Sequence, residues 1–90
     1  MLEGKTKSGF EFKVDEDFFN DWEMIERIAD YEENGSVHLM RSIIVDLLGK
    51  KQYKDLKDSL RDEKGKITAT AMEQAVADIF EAIQEGETKN

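Results

Sequence analysis

Cysteine and proline are both missing from this chain of 90 residues. The first absence excludes a disulfide framework and a thiolate metal site, and it fits a reducing cytoplasm. The second leaves helices uninterrupted, where average usage near ~5% would supply about four or five prolines. The N-terminus has no apolar run, so no signal peptide is expected. Long hydrophobic runs are also lacking. The most apolar stretch is twelve residues, Val37 to Leu48, against the ~20 that a bilayer requires, so no membrane span is expected. Positive charge is in short supply. Thirteen Lys and Arg face twenty-one Asp and Glu, a net charge of -8. That balance argues against nucleic-acid binding, which depends on neutralising phosphates. At this length one domain is expected, and a chain of this size buries only ~60% of its extended surface.

The Val37 to Leu48 stretch organises what is present. Eight of its residues are aliphatic: Val37, Leu39, Met40, Ile43, Ile44, Val45, Leu47 and Leu48. At about 100° per residue most of them sweep half of a helix circumference, with His38, Ser42 and Asp46 opposite. A helix so apolar must be wrapped by other elements. The expected fold is therefore α+β and mostly α: an N-terminal β-hairpin over residues 2–14, then a bundle of about four helices around this central one. The domain would cover 1–85, with a polar tail at 86–90.

The hairpin follows from Phe10, Phe12 and Val14 alternating with Glu11 and Lys13, and from turn chemistry at Ser8-Gly9. Two strands alone are marginal in water, so their apolar face must rest on helices. In the first helix Trp22, Ile25, Ile28 and Ala29 recur at helical spacing, which predicts Trp22 packed on the central helix. Phe18, Phe19 and Trp22 read as core, with room for one of them to serve as an interface anchor. Asn20 with Glu23 makes a capping pair, and Asn34-Gly35 stops the helix with Ser36 capping the next. Gly49 and Gly65 mark further junctions. A third helix is expected from Lys50 to Arg61. A fourth, capped by Thr68 or Thr70, would run to Glu85 and bury Met72, Ala75, Val76, Ile79, Phe80 and Ile83.

Charge is unevenly placed. Residues 15–33 carry nine acids and Arg27, while the rest of the chain balances. Glu23, Glu26 and Asp30 take the polar face of the first helix. Lys50, Lys54, Lys57 and Arg61 recur at helical spacing along one ridge. Opposite patches on so small a protein permit self-association or docking to a charged partner. Phe18, Trp22, Glu23, Glu26, Asp30 and the four-cation ridge are the candidate partner-binding residues.

Candidate chemistry is sparse. Placing Gly65 at position 6 of a calcium loop puts Leu60, Lys64 and Ala71 where oxygen ligands belong, so the loop fails. Asp58-Ser59-Leu60 resembles an acyl carrier attachment site, but the serine falls near a helix end rather than at a helix start. His38, the single histidine, shares a helix face with Ser42 and Asp46, which makes a polar stripe and not a catalytic triad. No Gly-rich phosphate loop or metal-ligand cluster is present, so neither an enzyme nor a cofactor is expected.

The order of landmarks resembles the tail assembly chaperones of long-tailed (siphovirus-type) phages or prophages of Gram-positive bacteria, over residues 8–85. These landmarks are Gly9-Phe10-Glu11-Phe12 running into Asp15-Glu16-Asp17, Asp21-Trp22-Glu23 and the acids up to Glu33. Leu47-Leu48-Gly49 with Gln52-Tyr53 follows, then Leu60-Arg61-Asp62 with Gly65, and a helix from Ala71-Met72. Family members often place proline or valine near Thr68, where this chain has Ile67-Thr68-Ala69. The resemblance implies a non-catalytic protein of the host cytoplasm, absent from the mature virion. Such proteins bind the tape measure protein while tail tube subunits polymerise around it. It also implies a longer form made by ribosomal frameshifting, for which the segment after Gly86 is a compatible junction. The competing reading is a small acidic regulatory protein, a nucleic-acid mimic presenting the 15–33 acids as phosphate surrogates.

Overall fold

The structure, a computed structural model, describes the backbone of residues 2–88 and the side chains of that span apart from Phe19 and 84–88. Strands β1 (Leu2–Lys5) and β2 (Glu11–Val14) form an antiparallel hairpin in which Gly4 pairs with Phe12 and Glu3 with Lys13. A 3-10 turn (Glu16–Asn20) leads to α1 (Trp22–Asn34), α2 (Val37–Leu60) and α3 (Ala69–Thr88). The fold is α+β and mostly helical, as the switch from alternating to helical periodicity predicts.

Three helices stand where a bundle of about four was expected. The predicted second and third helices are the two arms of α2, which meet at Gly49 (φ 80°, ψ 163°). That backbone conformation favours glycine, so Gly49 bends the chain without releasing it into a loop. The other end of the expectation also shifts, since α3 continues to Thr88. Of the predicted 86–90 tail, Lys89 and Asn90 lie outside the described residues.

Local chemistry sets the boundaries. Asp21, rather than Asn20, caps α1 by accepting the Glu23 N–H at 3.0 Å. Ser36 caps α2 through the Leu39 N–H, and Thr68 caps α3 through the Ala71 N–H. Between α2 and α3, Asp62 folds onto its own loop and accepts from the Lys64 and Lys66 N–H groups, both at 2.9 Å.

The core gathers Phe12 and Val14 of the hairpin, Met40, Ile44, Leu47, Leu48 and Leu56 of α2, and Ala75, Val76, Ile79 and Ile83 of α3. Phe18, Tyr53, Met72 and Phe80 close its margins, half-buried. The hairpin is clamped down by polar bonds as well. Asp78, buried on α3, accepts the Lys7 N–H at 3.0 Å and a bond from the Gln74 amide at 3.0 Å. Thr6, also buried, turns the hairpin by accepting the Phe10 N–H through Oγ1. Hydrogen bonding from Lys7 first, then Gln74, holds the Asp78 carboxyl below its ordinary value, against the opposing effect of burial.

Two expectations follow. A Cβ at Gly4 would lie 2.6 Å from the Phe12 ring, which is only 2% exposed and has nowhere to retreat. Gly4→Ala should therefore cost about 1–3 kcal/mol in denaturant unfolding. The Asp78 carboxylate, with its depressed folded-state pKa, stabilises the fold fully above its ordinary value of 3.8 and loses that effect as pH falls through the folded value. Asp78→Ala should lower Tm at neutral pH, and its deficit against the wild type should narrow as the pH is taken below 3.8.

Candidate partner-binding surfaces

Helix α1 buries only Ile28 in part from the expected stripe of Trp22, Ile25, Ile28 and Ala29, and turns in a face centred on Met24 instead. Met24 is buried, with Ile28 and Tyr31 half-buried beside it. Trp22 is 69% exposed and Ile25 40%, with Ala29 also exposed. The predicted packing of Trp22 on the central helix is thus corrected. Of the three aromatics read as core, Phe18 does pack against it, Trp22 faces outward, and the Phe19 side chain lies outside the described residues.

Arg27 lies beside the face that turns in. Its guanidinium reaches across to α2, donating to Asp46 at 2.8 Å and to the Ser42 hydroxyl. The Ser42–Asp46 side of α2 is therefore the seat of an inter-helix clamp rather than only a solvated stripe. Tyr31 adds a bond from its hydroxyl to the Met40 sulfur at 3.3 Å. Burying Met24, Ile28 and Tyr31 alongside Arg27 leaves Trp22, Ile25 and Ala29 on the outer side. Glu23, Glu26, Asp30, Glu32 and Glu33 are all exposed on the same helix. The result is an apolar strip rimmed with carboxylates.

Two members of the cationic ridge on the second arm of α2 are paired within the helix. Lys54 and Arg61 converge on Asp58 at 3.1 and 3.0 Å, and Lys57 lies over the Tyr53 ring at 4.9 Å. Bonds from Arg61 first and Lys54 second hold the Asp58 carboxyl below its ordinary value. Lys50 is exposed at the end of the ridge next to Gly49.

A second apolar surface has no counterpart in the sequence-based expectations. Val37, 66% exposed, opens a cleft of 110 Å³ shared with Met40, Ile44, Tyr53, Met72 and Val76. Its charged lining residue is Arg41, whose guanidinium carbon lies 5.9 Å from the Tyr53 ring centroid. The signal was available: Val37, Tyr53 and Met72 each stand at the edge of an apolar stripe, but their meeting depends on the bend at Gly49.

Among the described residues no three His, Cys, Asp or Glu side chains gather to hold a metal ion, and no helix is long and apolar enough to cross a membrane. The described surface includes an apolar strip rimmed with acids and an apolar cleft with Arg41 at its edge. No protein-family model matches the chain, and no curated protein or solved structure matches it either.

Because Trp22 stands in solvent, Trp22→Ala should change unfolding free energy by no more than about 0.5 kcal/mol. A buried tryptophan would cost about 3–5 kcal/mol on the same change, so a melting curve separates the two.

Proposed function

We propose that this protein is a non-catalytic tail assembly chaperone of a siphovirus-type phage or prophage. In this reading it acts in the cytoplasm of a Gram-positive host, holds the tape measure protein while tail tube subunits polymerise, and is left out of the mature virion. Two things support the reading. One is the resemblance carried by the landmarks from Gly9 to Met72. The other, on which the choice rests, is the exposure of Trp22 within a rim of acids.

A protein that holds a long helical client and then gives it up needs apolar grip and charged surroundings. Exposed tryptophan provides the first, since Trp dominates the energetics of contact surfaces. Carboxylates around it favour a client with basic flanks, speed encounter and weaken with salt, which suits release. Met24, Arg27 and Tyr31 hold the strip in place from behind, so the grip is pre-positioned rather than formed on binding. A nucleic-acid mimic presenting the same acids has no use for a bare indole and would be governed by charge alone.

Co-expression of the chain with the tape measure protein and the tail tube protein, followed by pull-down, tests the reading. The tape measure protein should be retained, and Trp22→Ser should weaken its capture about 30-fold with Tm unchanged. Retention that collapses with salt and ignores Trp22→Ser would instead support the acidic mimic.

A further inference from the structure

The acid-rimmed strip on α1 and the base-rimmed cleft between α2 and α3 are complementary surfaces of one chain. We propose that Trp22, with Ile25, docks into the Val37–Met72 cleft of a second copy of this protein. The inference rests on the preceding one only in that the second copy would cover the strip assigned to the client.

Size narrows the occupant of the cleft. Its 110 Å³ falls below the ~300 Å³ at which small-molecule sites begin, so it suits part of a partner's side chain. Its walls are Val37, Met72 and Tyr53, apolar or aromatic, and the charge that lines it is Arg41, drawn toward the Tyr53 ring, over which Lys57 also lies. Among the described residues neither cation is ion-paired, in contrast to Lys54 and Arg61, which share Asp58. A fitting partner therefore brings a large apolar side chain surrounded by carboxylates. The face around Trp22 has that composition, with Glu23 next to it and Glu26 one turn along. An arginine already lying near an aromatic ring can also take an indole on its exposed side.

Exposure supports the same conclusion. Trp22 and Val37 are the two most exposed large hydrophobic residues described, and each sits in one of the two surfaces. Coverage of one by the other removes both from water. Strip and cleft are different surfaces, so the contact is heterologous. Repeated copy to copy it gives a chain unless rotation closes it. The client and the neighbouring copy then compete for Trp22, and an idle protein keeps its adhesive strip covered.

The test uses the chain alone in sedimentation equilibrium, with Trp22→Ser and Val37→Glu. Both residues are exposed, so both variants should fold, which circular dichroism checks. Wild type should show a mass that rises with concentration. Each variant should lose association by about 30-fold, one through the missing indole and the other through a carboxylate set against the acidic strip. Mixing the two variants restores one intact strip with one intact cleft and should return 1:1 pairs. A monomeric wild type, variants that associate as wild type does, or a mixture that stays monomeric would each overturn the proposal. Tape measure capture by Val37→Glu, which keeps Trp22, separates the two readings. Capture by a wild type that never self-associates overturns this inference alone, and self-association without capture overturns the chaperone reading alone.

Discussion

The amide of Gln52 joins the hairpin to both arms of α2 at one point. Its Nε2 donates to the carbonyls of Lys13 and Leu48, and its Oε1 accepts the Lys13 N–H, each at 2.8 Å. A two-stranded sheet has exposed edges that other chains can extend. Here a side-chain amide occupies part of the β2 edge as a third strand's peptide group would. The bond to Leu48 matters as much, because Gly49 interrupts the helix there and would leave that carbonyl short of a partner. Bend, edge and core are settled together. The second arm of α2 carries Gln52 to the hairpin, and Leu56 of the same arm enters the core.

Charge is organised by the same economy. Arg27, the one base among the acids of residues 15–33, is spent on Asp46 and Ser42 and orients α1. Asp58 pairs with two members of the ridge on α2 and offsets one of their charges. Exposed pairs of this kind contribute about 0–1 kcal/mol each, so their importance lies in what they leave unpaired. Among the described residues left without an ion pair are the carboxylates around Trp22 and the two cations beside Tyr53. The four-cation ridge that spacing singles out shares Lys57 with the pair of cations beside Tyr53.

Where periodicity has one solution, the sequence reads correctly. Phe12 and Val14 alternate inward, Met40 to Leu48 lie at the centre, and Ala75, Val76, Ile79 and Ile83 form the buried face of α3. Where periodicity has two solutions, it does not decide. Helix α1 could bury Trp22, Ile25, Ile28 and Ala29 or Met24, Ile28 and Tyr31, and hydrophobicity favours the tryptophan. The face that turns in also carries Arg27 to Asp46, a contact nineteen residues away that no local pattern encodes. Gly49 was legible as a break but not as a bend, because the same glycine serves either. The distinction lies in Gln52 reaching Lys13, thirty-nine residues away. The Val37–Met72 cleft depends on the same bend, so the stripe edges that line it could be read but not their meeting.

Trp22 is the single tryptophan of the chain, and it stands in water on the surface assigned to partners. Its indole therefore reports optically on that surface and on nothing else in the protein. Emission from an indole in water lies to the red of emission from one in an apolar contact. Covering the strip shifts the emission toward the blue without any label, while unfolding a monomer barely moves it. A property that makes this tryptophan a poor witness of the fold makes it a direct witness of occupancy.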